Sequence, residues 1–188
     1  MKMNKTTGLI ALMVGALPLT TMSVAANEPA FDYIAAQYQE TRVNNTDLDG
    51  YKLALSASVT EDFFFRLSHA NQSVQSFDVD LTKLGFGYKH YVQLDTVAYG
   101  GAGLVRERFK FNGISSSDSG FNVFVGARHK LAHNLELGVE AEYIDVNDDD
   151  DVVIHLQGRY WIAPTFSIVA GYSFANNDRW MLGAAFHF

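Results

Sequence analysis

The chain of 188 residues contains no cysteine and only 3 prolines. An exported protein without cysteine has no disulfide framework, so its stability must come from another source. After residue 26 the sequence also lacks a continuous apolar run long enough to span a membrane as a helix. The formal net charge of -7 gives no electrostatic case for binding nucleic acid. The length predicts a single domain.

Residues 1–26 predict a secretory signal peptide. Lys2 and Lys5 form a positive start, residues 8–19 are apolar, and residues 24–26 are small enough for cleavage. The apolar run is shorter than the roughly 20 residues of a membrane-spanning helix. We therefore expect a mature domain of residues 27–188. Its net charge is -9, because cleavage removes two lysines and no acid. The mature domain is either a soluble periplasmic β-domain or a β-barrel in a membrane.

Apolar side chains recur at every second position along the mature chain, from Phe31 to the last residue. The final segment shows this most clearly. Its apolar parity consists of Trp180, Leu182, Ala184, Phe186 and Phe188. A period of two indicates a β-strand with one apolar face. About ten segments repeat the pattern, each near the 9–11 residues of a tilted membrane strand. They predict an all-β fold, a transmembrane antiparallel up-and-down β-barrel of about ten strands, with eight as the alternative.

The connections alternate between short turns and longer polar stretches. Short turns are expected at 60–62, 90–95, 130–134 and 162–165, and longer loops at 41–49, 71–78, 109–119 and 145–151. With an even strand count, this alternation places both termini on the periplasmic side and the longer loops outside. Tyrosines near the strand ends fit the membrane interface. They are Tyr38, Tyr51, Tyr88, Tyr143, Tyr160 and Tyr172.

Three stretches are typical of the hairpins of one known family. They are Asn-Leu-Glu-Leu-Gly-Val-Glu at 134–140, Gly-Arg-Tyr-Trp at 158–161 and Ala-Gly-Tyr at 170–172. With the aromatic carboxy-terminal strand, they make the chain resemble small Gram-negative outer-membrane β-barrels of the porin-family or OmpA/OmpX-like type, barrel domain only. The resemblance implies an assembly signal at Trp180, Phe186 and Phe188, read by the barrel-assembly machinery. It also implies an outer-membrane location, in contact with lipid and lipopolysaccharide.

The parity opposite the apolar one carries charged side chains. A Lys or Arg at the bilayer midplane costs about 2–4 kcal/mol, so these residues are expected to line the lumen. The predicted set is Lys52, Arg66, Lys83, Arg106, Arg128, Glu136, Glu140, Glu142, His155, Arg159 and Arg179. In the glycine-rich segment 96–108 we place Val97, Tyr99, Gly101, Gly103 and Val105 on the lipid side. The lumen charges predict either a filled, structural barrel or a narrow porin-like channel that passes small solutes.

The acidic stretch 145–151 raises the possibility of a divalent cation site, since hard cations prefer several oxygen ligands. Its candidate ligands are Asp145, Asp148, Asp149, Asp150 and Asp151. The stretch lacks the spacing and glycine of an EF-hand loop, and a solvated acidic loop is the simpler interpretation. No cofactor is expected, because the sequence has no phosphate-binding glycine loop and no metal-ligand pair of useful spacing.

Two further functions remain open at this point. A surface barrel could bind a partner through its external loops. A barrel hydrolase would need a catalytic group near the outer rim, where His69 could meet Asp78 or Asp118. A single interfacial histidine is more often structural, so the sequence predicts no enzymatic activity.

Overall fold

The computed structural model describes residues 28–43, 46–74, 77–147, 149–175 and 178–188. Within these ranges the chain forms a closed barrel of ten antiparallel strands, in which β1 also pairs with β10. The strands are β1 (Tyr33–Val43), β2 (Thr46–Ser58), β3 (Phe63–Val74), β4 (Phe77–Gln93), β5 (Thr96–Phe111), β6 (Ile114–Ala132), β7 (Leu135–Val146), β8 (Asp149–Ala163), β9 (Phe166–Phe174) and β10 (Arg179–His187). The predicted antiparallel barrel is confirmed, with ten strands rather than eight.

The predicted signal peptide, residues 1–26, lies outside the described ranges. Across the described ranges, no helix has the length and hydropathy needed to cross a membrane.

Alternating residues separate an apolar outer face from a polar interior. In β9, Phe166 and Ile168 are exposed while Ser167 and Ser173 are buried. Every strand carries at least one large hydrophobic side chain on the exposed face. Examples in strand order are Ile34, Leu53, Leu67, Leu84, Leu104, Val123, Val139, Leu156, Ile168 and Leu182. A continuous apolar girdle of this extent marks a surface that contacts lipid, which argues against the soluble alternative.

The prediction of a longer polar loop at 109–119 was wrong, because β5 and β6 continue through it. Only Asn112 and Gly113 connect the two strands, with φ angles of 48° and 85°. Positive φ at both central residues is the type I′ geometry that suits the twist of a hairpin, and Asn-Gly favours it. The other expected outer loops, 41–49, 71–78 and 145–151, are also largely strand. At 17, 16 and 19 residues, β4, β5 and β6 are longer than a crossing requires and extend beyond the bilayer.

The facing of β5 differs from the expectation. Val97, Tyr99 and Val105 are buried inside the barrel, with exposed fractions of 0%, 6% and 2%. Gly101 and Gly103 face the same way, and a Cβ at Gly101 would come within 2.5 Å of the ring of Phe124. The glycines therefore make room for an interior ring that packs against β5.

Arg106 shares the outward parity of β5 and is exposed, so its assignment to the lumen was wrong. It pairs with Thr82 on β4 and Ser119 on β6. The last apolar row before it pairs Leu84 with Leu104. Arg106 thus lies among polar neighbours, where an outward arginine avoids the cost of burial in hydrocarbon.

Candidate functional site

The centre of the lumen contains an ion-pair network that joins β3, β4, β7 and β8. Arg66 Nη1 lies 2.8 Å from Glu140 Oε1, and Arg66 Nη2 lies 3.3 Å from Glu142 Oε1. Lys83 Nζ lies 2.6 Å from Glu142 Oε2, and His155 Nε2 lies 3.2 Å from the same oxygen. The Glu142 side chain is only 3% exposed, so its charge is stabilised by these neighbours rather than by bulk water.

The sequence around Arg66 gives its long side chain the space to cross the lumen. Its partner on β4 is Gly85, which presents no side chain to the interior. The Arg66 guanidinium carbon lies 3.4 Å from the centre of the Phe124 ring. A guanidinium over an aromatic face is stabilised by the ring quadrupole, and the ion pair with Glu140 adds a charged hydrogen bond. Phe124 and Glu140 together therefore hold the Arg66 side chain in one position.

The chain before β1 turns into the mouth of the barrel at which both termini lie, the mouth predicted to face the periplasm. Ala30 and Phe31 are each 2% exposed. The Ala30 amide donates to Glu136 Oε2 at 3.0 Å, and its carbonyl oxygen accepts from the guanidinium groups of Arg128 and Arg159. Both backbone polar groups of Ala30 are therefore paired with side chains from the barrel wall.

Aromatic contacts hold the same segment in place. The Phe31 ring lies 4.8 Å from the ring of Phe64 and 5.5 Å from that of Tyr99, between ring centres. The Arg128 guanidinium lies 4.3 Å from the Phe31 ring, and Lys89 Nζ lies 5.1 Å from it. Phe31 is thus enclosed by rings and cations, and residues 28–32 fill this end of the lumen. We call residues 28–32 the N-terminal plug.

A cavity of about 130 Å³ lies in the lumen. Its lining includes five cations, Lys52, Arg66, Lys83, Arg128 and Arg179, and three carboxylates, Glu136, Glu140 and Glu142. Arg179 Nε donates to Thr41 Oγ1 at 2.9 Å. Among the described residues, neither Arg179 nor Lys52 has a carboxylate within ion-pair distance. The cavity therefore has a surplus of positive charge.

Apart from Arg106, every residue of the predicted lumen set lines this cavity or is buried beside it. Arg159 is 1% exposed and lies 3.2 Å from Glu136. Lys89 and Lys130 are also buried, and neither was in the predicted lumen set. Both share the inward parity of their strands, and this parity was the signal that could have identified them.

Among its described residues, the acidic stretch 145–151 forms no group of three potential metal ligands. Asp149 and Asp150 are exposed, Asp145 pairs with Asp150 across the hairpin, and Asp148 lies outside the described residues. Asp151 interacts with another group of the protein. In the described ranges, the one group of three potential ligands is Glu140, Glu142 and His155. Arg66 and Lys83 already neutralise these carboxylates, which disfavours a cation there.

Neither His69 nor His187 belongs to an accessible catalytic group in the described structure. His69 Nδ1 lies 2.9 Å from the Thr82 hydroxyl, on the outer face. His187 Nε2 lies 2.8 Å from Ser167 Oγ, but these two residues are 1% and 0% exposed. A serine and histidine sealed inside the barrel wall cannot meet a substrate, so this pair acts as a structural hydrogen bond.

The carboxy-terminal strand closes the barrel through its register with β1, from Arg179 opposite Thr41 to His187 opposite Tyr33. Trp180 and Phe186 are exposed on the outer face, at 38% and 49%. The final residue, Phe188, follows the end of β10. Recognition of these aromatics by assembly machinery stays a prediction.

Comparisons with known proteins agree with this architecture. The family model described as "Outer membrane protein beta-barrel domain" matches residues 9–188. Among solved structures, the chain is similar to KdgM porin, with 12% identity, a TM-score of 0.51, and coverage of 83% of this chain and 99% of that one. The amino-terminal barrel domain of OprF from Pseudomonas aeruginosa gives 15% identity, a TM-score of 0.47, and coverage of 84% and 98%. No curated protein sequence matches. At these identities the structural likeness concerns the fold alone.

Proposed function

Because the chain belongs to the family of outer-membrane protein β-barrel domains, which places it in the outer membrane, we propose that it is a closed structural element of that membrane. Its lumen does not pass solutes in the resting state. The observation that carries this proposal is the N-terminal plug, with Phe31 packed among Phe64, Tyr99 and Arg128 at the periplasmic mouth.

The charged network supports the same conclusion at the middle of the lumen. Arg66 reaches from β3 to Glu140 and Glu142 on β7, and Lys83 reaches from β4 to Glu142. These bridges cross the interior between strands that are not neighbours in the sheet. Small barrels of about eight strands are filled by side chains, whereas open aqueous channels need about 16 strands, and ten is near the lower figure. A solute would have to break buried ion pairs to pass.

Single-channel recording of refolded protein in planar bilayers tests this role. The intact protein should give no steady conductance, and a variant lacking residues 28–31 should conduct ions or show frequent openings. The matched control is Phe63→Ala, which removes an exposed outer-face ring. Steady conductance of the intact protein would instead support the narrow porin-like role.

A second candidate function is binding of a partner at the cell surface. At the tip of the β5–β6 hairpin, Phe111 and Ile114 are 56% and 77% exposed. Beside it the rings of Phe77 and Phe109 stack with centres 6.1 Å apart. These apolar side chains lie on the extension beyond the bilayer, where lipid does not cover them. A cell-binding assay should lose signal in the pair Phe111→Ser and Ile114→Ser if this surface binds a partner, and should be unaffected if it does not.

A further inference from the structure

We propose that the lumen cavity binds a compact carboxylate anion between Lys52 and Arg179. The site rests in part on the proposed function, because the N-terminal plug closes the periplasmic side and turns the lumen into a pocket. An anion would enter from the external end.

The three carboxylates that line the cavity are already engaged. Glu140 accepts from Arg66 and from the hydroxyl of Tyr99 at 2.9 Å. Glu142 is shared by Arg66, Lys83 and His155. The third, Glu136, accepts from Arg159 and from the Ala30 amide.

Lys52 is left without a compensating partner. In the part of the chain that the structure describes, its side chain makes no hydrogen bond or ion pair, and its neighbours in the sheet are Gln37 and Ala70. The charges acting on it include two other cations, Lys83 and Arg179, and one acid, Glu142. An uncompensated ion in the interior costs several kcal/mol, so this group of cations favours a bound anion.

Arg179 supplies the geometry for a planar ligand. Its Nε is used by Thr41, which leaves both terminal nitrogens of the guanidinium without a hydrogen bond to the described residues. Two such nitrogens form the fork that binds a carboxylate through both oxygens. Glu142, Asp151 and Glu107 act electrostatically on Arg179, but Glu142 is shared by three other side chains, and Asp151 and Glu107 lie outside the set of residues that lines the cavity.

The cavity volume restricts the ligand class. At about 130 Å³ it accommodates a few water-sized groups, so a short mono- or dicarboxylate fits and an oligomer does not. The fork of Arg179 matches the oxygens of a carboxylate or of a phosphate, so the comparison of malonate with inorganic phosphate in the titration decides between the two.

Isothermal titration of the refolded protein in detergent, at constant ionic strength, tests the site with malonate and inorganic phosphate as probes. Malonate should bind saturably with one site per barrel, and Lys52→Gln and Arg179→Gln should each weaken it at least tenfold. Lys52→Arg should retain binding. The matched control is Arg106→Gln, which removes a cation from the outer face and should leave the affinity unchanged.

Three results would overturn the site: no saturable heat with malonate, tighter binding of phosphate than of malonate, or equal weakening by Arg106→Gln. Heat modifiability on a gel establishes that each variant is folded before it is titrated. Failure of the site is distinguishable from failure of the closed barrel. If the protein shows no conductance in bilayers and does not bind malonate, the structural role stands and only the anion site is wrong.

Discussion

Arg66 on β3 and Glu140 on β7 are 74 residues apart in sequence and meet across the lumen, with Arg66 Nη1 at 2.8 Å and 2.9 Å from the two carboxylate oxygens. Two short bonds from one nitrogen make this a well-oriented charged contact. It joins strands on different sides of the barrel and so stabilises the closed shape, beyond the backbone ladder.

The first prediction concerns this pair. Arg66→Gln should destabilise the barrel by about 3–5 kcal/mol, because it leaves Glu140 with an uncompensated charge in the interior and removes one of the cations beside Glu142. The double variant Arg66→Gln with Glu140→Gln should recover part of the loss, since two neutral amides can pair. Urea unfolding of the protein in lipid vesicles measures both. Equal stability of the single variant and the parent would contradict the role given to this bridge.

The second prediction concerns the N-terminal plug. The Ala30 amide should exchange slowly with deuterium, because it donates to the buried Glu136. Glu136→Ala should remove this protection. In the control Glu107→Ala, an acid that lies away from the plug is removed, and the Ala30 amide should stay protected. Fast exchange of that amide in the parent would mean that the segment does not remain seated in solution.

The third prediction concerns the glycines of β5. Gly101→Ala should destabilise the protein by about 1–3 kcal/mol, because the new methyl group meets the Phe86 carbonyl oxygen and the Phe124 ring. Gly158→Ala is the matched control, since its Cβ would find only Leu137 at an ordinary 3.6 Å. The measurement is the midpoint of denaturant unfolding, and similar midpoints for the two variants would argue against the inward facing of Gly101.

The fourth prediction uses the absence of cysteine, which makes single-cysteine variants unambiguous. A membrane-impermeant maleimide added to whole cells should label Ile114→Cys and Arg106→Cys, which lie beyond the bilayer on the external side. Leu94→Cys, at an exposed periplasmic turn, should react only after the outer membrane is opened. Labelling of Leu94→Cys in intact cells would show that the barrel has the opposite orientation in the membrane.

Strand number and most strand facings could be predicted from the sequence because lipid imposes a strong alternation. In β9 the exposed Phe166 and Ile168 alternate with the buried Ser167 and Val169, and the printed sequence shows this directly. The same contrast identified Arg66, Glu140 and Glu142 as inward residues. Which of these residues pair with each other could not be predicted from the alternation. Alternation assigns a side chain to one face of the sheet but does not identify its partner.

The facing of β5 could not be predicted in this way. Glycine carries no side chain that marks a face, and residues 100, 101 and 103 are all glycine. The structure uses Tyr99 to complete an interior aromatic cluster with Phe64 and Phe124, and these contacts between distant segments decide the facing. Contacts with distant segments also decide the position of Phe31, which the sequence places at the start of the first strand. The Asn-Gly pair at 112–113, by contrast, was a local hairpin signal that the loop assignment overlooked.

The seating of Ala30 has a consequence for the order of events during biogenesis. Its partners Arg128, Glu136 and Arg159 follow it by 98, 106 and 129 residues. These partners lie on β6, β7 and β8, so the binding site for residues 28–32 does not exist until those three strands have come together. A segment near the start of the chain therefore waits for strands from its second half before it can dock.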